Sequence, residues 1–208
     1  MTKLRHIIPL LFLALSLACA AQTLDTDALA EYPAAIQRQV FEVAQYAKLT
    51  GEQQRTLAEA IKKENKIFAD AVKANGGALT VKSRNKLNKS REATLASILD
   101  REQLEQYYRG VYDAEADAEG NRVADMLQKK YNLTDQNWKF IRVAFYKAAL
   151  ESKVIRKVMA DSPKKAEKRI AEVCAEQMRS IEEKGGLRVN PDMTITWLRE
   201  FDPNKLHR

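Results

Sequence analysis

Apolar positions recur at i, i+3, i+4 and i+7 in successive windows, and the β-branched and aromatic residues do not alternate with period two. The pattern predicts an all-α protein of about five to seven helices packed as antiparallel hairpins. A first helix is expected over 26–47, with Pro33 near its first turns or breaking it, and with Ile36, Val40 and Val43 on one side. Thr50 then caps a second helix. Gln53, three residues on, completes a capping box, and Leu57, Ile61, Phe68 and Val72 fall on one stripe before Asn75-Gly76-Gly77 stops the helix. A third helix is expected from Thr80 to about Leu99, with its apolar content gathered at Leu87, Leu95 and Ile98.

Asp100 and Gln103 form a second capping box, followed by Leu104, Tyr107, Tyr108 and Val111 at helical spacing. An acidic stretch (Asp113, Glu115, Asp117, Glu119) ends near Gly120, and the boundary between two halves is expected there. Thr134 and Asn137 repeat the cap chemistry ahead of the most apolar helix, carrying Trp138, Ile141, Phe145, Ala148 and Ile155, which should lie centrally. Ser162-Pro163 opens the last long helix and Gly185-Gly186 closes it. Sliding the chain by about 84 residues aligns the capped helix at Thr50 with that at Thr134, as in two similar αα-hairpins, at about 49–112 and 133–185. The helical domain covers 21–186. The tail, 187–208, is expected to dock on it through Ile195, Trp197, Leu198 and Phe201.

The segment 1–20 reads as an export signal: Lys3 and Arg5, an apolar run at 7–17, then Ala18-Cys19-Ala20. The run is shorter than the roughly 20 residues a spanning helix needs, so no transmembrane segment is expected. Cleavage after Ala20 gives a periplasmic or secreted protein. Lipidation of Cys19 is the alternative, although Ser16 and Leu17 depart from a lipoprotein signal. The formal charge of +7 on 208 residues, lowered by two on cleavage, then points to acidic unfolded chains or anionic envelope components rather than to nucleic acid.

Leu49-Thr50-Gly51-Glu52-Gln53, the helix after it and the turn Ile98-Leu99-Asp100-Arg101-Glu102-Gln103 resemble the LTxxQ-motif family of Spy- and CpxP-like periplasmic helical proteins. The likeness spans roughly 41–112, with an echo at Leu133 to Asn137. Asp100 stands where that family has threonine in its second motif, and Asn137 where it has glutamine. The resemblance implies an ATP-independent chaperone or envelope-stress accessory that binds unfolded or partner proteins on a basic, partly apolar concave surface.

Residue chemistry argues against an enzyme. His6 lies in the signal and His207 at the C-terminus, so no histidine-based triad or metal site is expected in the core, and no cofactor is implied. Cys174, at i+4 from Ile170 and i−4 from Met178, reads as a packed small hydrophobe. Tyr107, Tyr108 and Trp138 read as core. The candidate binding residues are the cations Lys82, Arg84, Lys86, Lys89 and Arg91, which run without an acid between them. Lys82, Lys86 and Lys89 share one helix face, and Arg84 and Arg91 a second. A chaperone-like binder is the preferred expectation. A carbohydrate- or envelope-associated accessory and a structural scaffold are the alternatives, and a homodimer is compatible with each.

Overall fold

The structure, a computed structural model, describes residues 24–198. The expected signal, Cys19 and Phe201 lie outside them. Among the described residues there are seven helices and one two-stranded sheet, so the protein is all-α. The chain divides into two compact units, Met1–Gln103 and Leu104–Arg208.

In the first unit, α1 (Thr26–Leu29) and α2 (Ala34–Ala44) are separate, because Pro33 adopts an extended conformation and caps α2 rather than continuing one helix. Asp25 caps α1 by accepting from the Ala28 amide, and buried Gln54 accepts from the Asp25 amide, so α1 is tied to the next helix. That helix, α3, spans Gly51–Ala74, and α4 spans Val81–Ile98. Gly76 and Gly77 turn the chain between them at φ +68° and +98°, a region that favours glycine.

The core of this unit joins Ile36, Val40 and Val43 of α2 to Leu57, Ala58 and Ile61 of α3 and Leu95 of α4. Every buried residue of α3 lies in its first half. The cause is length: α2 has 11 residues against 24 in α3, and at about 1.5 Å per residue it covers less than half of the longer helix. The apolar stripe expected to continue into the core at Phe68 therefore leaves it. Phe68 is 48% exposed and Ile67 52%.

Helix α5 (Arg101–Tyr131), whose first three residues belong to the first unit and the rest to the second, runs unbroken through the acidic stretch where a boundary was expected. Gly120 is not a helix stop. A Cβ there would lie 2.6 Å from the Arg142 carbonyl oxygen and 3.0 Å from Tyr146 Cβ, so glycine lets α5 pack directly against the backbone of α6 (Asp135–Val158). Two of the four acidic residues pair with cations of α6, Asp117 with Arg142 and Glu115 with Lys153; Asp113 accepts from the Tyr146 hydroxyl, and Glu119 pairs with Arg122 of α5 itself. Helix α7 (Pro163–Gly185) packs along α6.

The tail is the main departure from the expected pattern. Leu187–Val189 (β1) and Ile195–Trp197 (β2) form an antiparallel hairpin, with Leu187 opposite Trp197. Three-residue strands are too short to show a period-two signal. The tail docks through Leu187 and Val189, which join Val123, Leu127, Ile141 and Ile181 in the core, and Ile195 packs against that core as expected, whereas Trp197 and Leu198 are each 43% exposed. Among the described residues no helix is long and apolar enough to cross a membrane.

Candidate functional site

The two LTxxQ-like caps of the first unit meet in space. Thr50 accepts from the Gln53 amide while Gln53 Oε1 accepts from the Thr50 amide; Asp100 and Gln103 repeat the arrangement at the start of α5. A capping box needs only an acceptor at its last position, and glutamate would serve. Here each glutamine also donates. Gln53 Nε2 donates to Gln103 Oε1 at 2.8 Å and to the Ile98 carbonyl at 2.9 Å; Gln103 Nε2 returns a bond to Gln53 Oε1 at 3.0 Å and donates to the Lys48 carbonyl. The amide pair pins the root of the α3–α4 hairpin and is structural. At the third cap, Thr134 accepts from the Asn137 amide, but Asn137, one methylene shorter than glutamine, closes no box and is buried near Gly185.

Farther out along the hairpin, where the core has ended, lies an open groove of about 630 Å³. Its α3 wall carries Glu64, Phe68 and Val72; its α4 wall carries Arg84, Leu87 and Arg91. At about 100° per residue, positions 84, 87 and 91 share a face, and Lys82, Lys86 and Lys89 point the opposite way. The expected basic run is thus sorted. All five cations are exposed, but the two arginines line the groove and the three lysines do not.

The arginines are also free. Arg109, Arg122, Arg142, Arg156, Arg169 and Arg188 of the second unit each face a carboxylate within ion-pair distance, whereas among the described residues Arg179 there and Arg38 and Arg55 of the first unit do not. Among the described residues no carboxylate stands that close to Arg84 or Arg91. Glu64, the carboxylate in the groove wall, instead accepts from Thr94 Oγ1 at 3.0 Å. Residues 66–91 hold seven cations and one acid, a net +6 against +7 for the whole chain. Phe68 and Val72 are the groove residues whose helical spacing placed them on the core stripe of α3. The signal that would have found them is the mismatch between a 24-residue helix and an 11-residue neighbour.

The second unit holds another cavity, about 380 Å³, lined by Phe145, Ala148, Cys174, Met178 and Met193 among others. Cys174 is half-buried there, with Sγ 3.8 Å from Ser152 Oγ, in keeping with a packed thiol. Tyr108 is buried, with Tyr107 edge-on at 5.2 Å and Tyr112 stacked at 6.0 Å. Trp138 is half-buried and its indole donates to Asp125 at 2.8 Å. Near the hairpin, the Glu182 carboxyl is held below its ordinary value by the hydrogen bond from Arg188, and that of Asp192 by hydrogen bonds from Thr194. Comparison with family models, curated proteins and solved structures returns no match to this chain.

Proposed function

We propose that this chain is a periplasmic or secreted, non-enzymatic binding protein that holds non-native polypeptides without ATP. One observation carries the reading: a groove at the outer half of the α3–α4 hairpin combines exposed Phe68 with two unpaired guanidiniums. A concave surface that brings exposed Phe68 together with charged side chains suits a binding role, since exposed apolar surface rimmed by polar residues marks interaction sites. Unfolded chains offer apolar side chains together with charges, and such a groove meets both while discriminating little among sequences. The export signal over 1–20 and the likeness to LTxxQ-motif proteins support the same reading.

The test is aggregation of an unrelated protein, unfolded by reduction of its disulfides, followed by light scattering with no nucleotide present. Near-stoichiometric suppression is expected, and Phe68→Ser should remove most of it. No suppression at a several-fold excess refutes the reading. Affinity for one defined glycan without suppression would move the assignment to a carbohydrate-associated accessory.

A further inference from the structure

We propose that the groove selects extended, acidic segments, with Arg84 and Arg91 reading two client carboxylates that flank apolar residues. The inference rests on the reading of the groove as a site for non-native chains and names the client chemistry. Arg84 and Arg91 are seven residues apart on one face of α4, about 10.5 Å along the helix axis. An unfolded chain in the polyproline II conformation repeats every three residues at about 3.1 Å each, so side chains at i and i+3 share a face roughly 9.3 Å apart. The two spacings agree within the reach of a guanidinium. Between the arginines, Leu87 of α4 faces Phe68 and Val72 of α3 across the groove, which places apolar surface where the two intervening client residues pass.

Charge argues for the same occupant. A guanidinium is planar and donates in a fork that fits a carboxylate with two bonds, which an ammonium does not. The groove holds only arginines of the basic run, while its lysines face solvent. An anionic membrane would instead be met by a convex face carrying lysines and large apolar residues. A concave groove with its guanidiniums turned inward favours a single chain.

The experiment measures fluorescence anisotropy of labelled ten-residue peptides binding to the full chain at near-physiological salt. One peptide carries two glutamates three positions apart around two leucines. A second has the same composition with the glutamates adjacent at one end, and a third carries lysines for glutamates. The spaced peptide should bind at least about tenfold tighter than the other two, since adjacent glutamates reach only one arginine and forgo a charge-assisted hydrogen bond, while the lysines meet like charge. Arg84→Gln with Arg91→Gln should abolish the preference. The control Lys82→Gln, Lys86→Gln, Lys89→Gln removes more charge outside the groove, and should change affinity less than about twofold because exposed charges act through a screened field.

Equal affinity for the spaced and adjacent peptides, or an equal loss in the lysine variant, overturns the inference. If aggregation suppression persists in that case, the chaperone reading stands without it; if suppression is also absent, both fail. Displacement of the bound peptide by phosphatidylglycerol vesicles but not by phosphatidylcholine vesicles, with unchanged binding by the arginine variant, assigns the face to lipid and likewise overturns it. Circular dichroism of each variant establishes that the helices are retained.

Discussion

The reciprocal amide pair allows a quantitative test of what the glutamines do. The Gln103 side chain accepts from the Asp100 amide and from Gln53 Nε2, and donates to Gln53 Oε1 and the Lys48 carbonyl. Gln53 makes the mirror set with the Thr50 amide and the Ile98 carbonyl. At about 0.5–1.5 kcal/mol net per hydrogen bond, with water partly replacing lost partners at these half-buried positions, Gln103→Ala and Gln53→Ala should each cost about 2 kcal/mol. Two of the bonds are shared. The double variant should therefore cost about 3 kcal/mol, leaving a coupling near 1 kcal/mol. Urea unfolding followed by far-ultraviolet circular dichroism gives the three values, and amide exchange across residues 49–103 reports whether the loss is local to the first unit.

Gln103→Glu sharpens the test. A carboxylate still accepts from the Asp100 amide and so preserves an ordinary capping box, but it has no proton for the Lys48 carbonyl or Gln53 Oε1. It should cost at least as much as alanine at neutral pH. That carboxyl, facing two oxygens, would have its folded-state pKa raised, so its penalty relative to the parent is present above that value and relieved as pH falls through it. A coupling below about 0.3 kcal/mol, or a glutamate variant as stable as the parent at neutral pH, would show that the caps act separately.

Other expectations follow from the second unit. Gly120→Ala should destabilise by about 1–3 kcal/mol despite alanine's better helix propensity, because the added methyl meets backbone of α6 at 2.6 Å; thermal unfolding checks it, and a stabilised variant would mean the helices part easily. Leu187→Ala, at a fully buried position of β1, should cost about 2–5 kcal/mol and release the hairpin to proteolysis, whereas Trp197→Ala should cost much less. The Glu119, Glu182 and Asp192 carboxyls are lowered by hydrogen bonds from Arg122, Arg188 and Thr194. A depressed folded-state pKa gives stability that is complete above the unfolded value and lost as pH falls through the folded one, so Tm should hold from neutrality to about pH 5 and decline below the ordinary carboxylate range near pH 4. A Tm that rises on acidification contradicts those assignments.

Much of the local structure was legible in the chain alone, because its causes are local. Thr50, Thr80, Thr134 and Asp100 cap helices through bonds spanning three residues, and Asn75-Gly76-Gly77 ends one through backbone conformations glycine favours. Helical spacing placed Leu57, Ile61, Ile141 and Ile170 in the core by the same short-range logic. Tertiary structure decided whatever depends on a partner distant in sequence. Gly120 looks the same in sequence whether it stops a helix or admits another backbone, and only the approach of Arg142 and Tyr146 separates the two. The strands at 187–189 and 195–197 exist because they pair with each other and because Leu187 has a core to enter. Gln53 and Gln103 are fifty residues apart, and their caps read as independent until the α3–α4 hairpin brings them face to face. The basic run was visible as charge, but its division into groove arginines and solvent lysines, and the exposure of Phe68, follow from where a short α2 stops covering a long α3. A side chain's periodicity states which face of a helix it occupies; whether anything covers that face is a property of the neighbours.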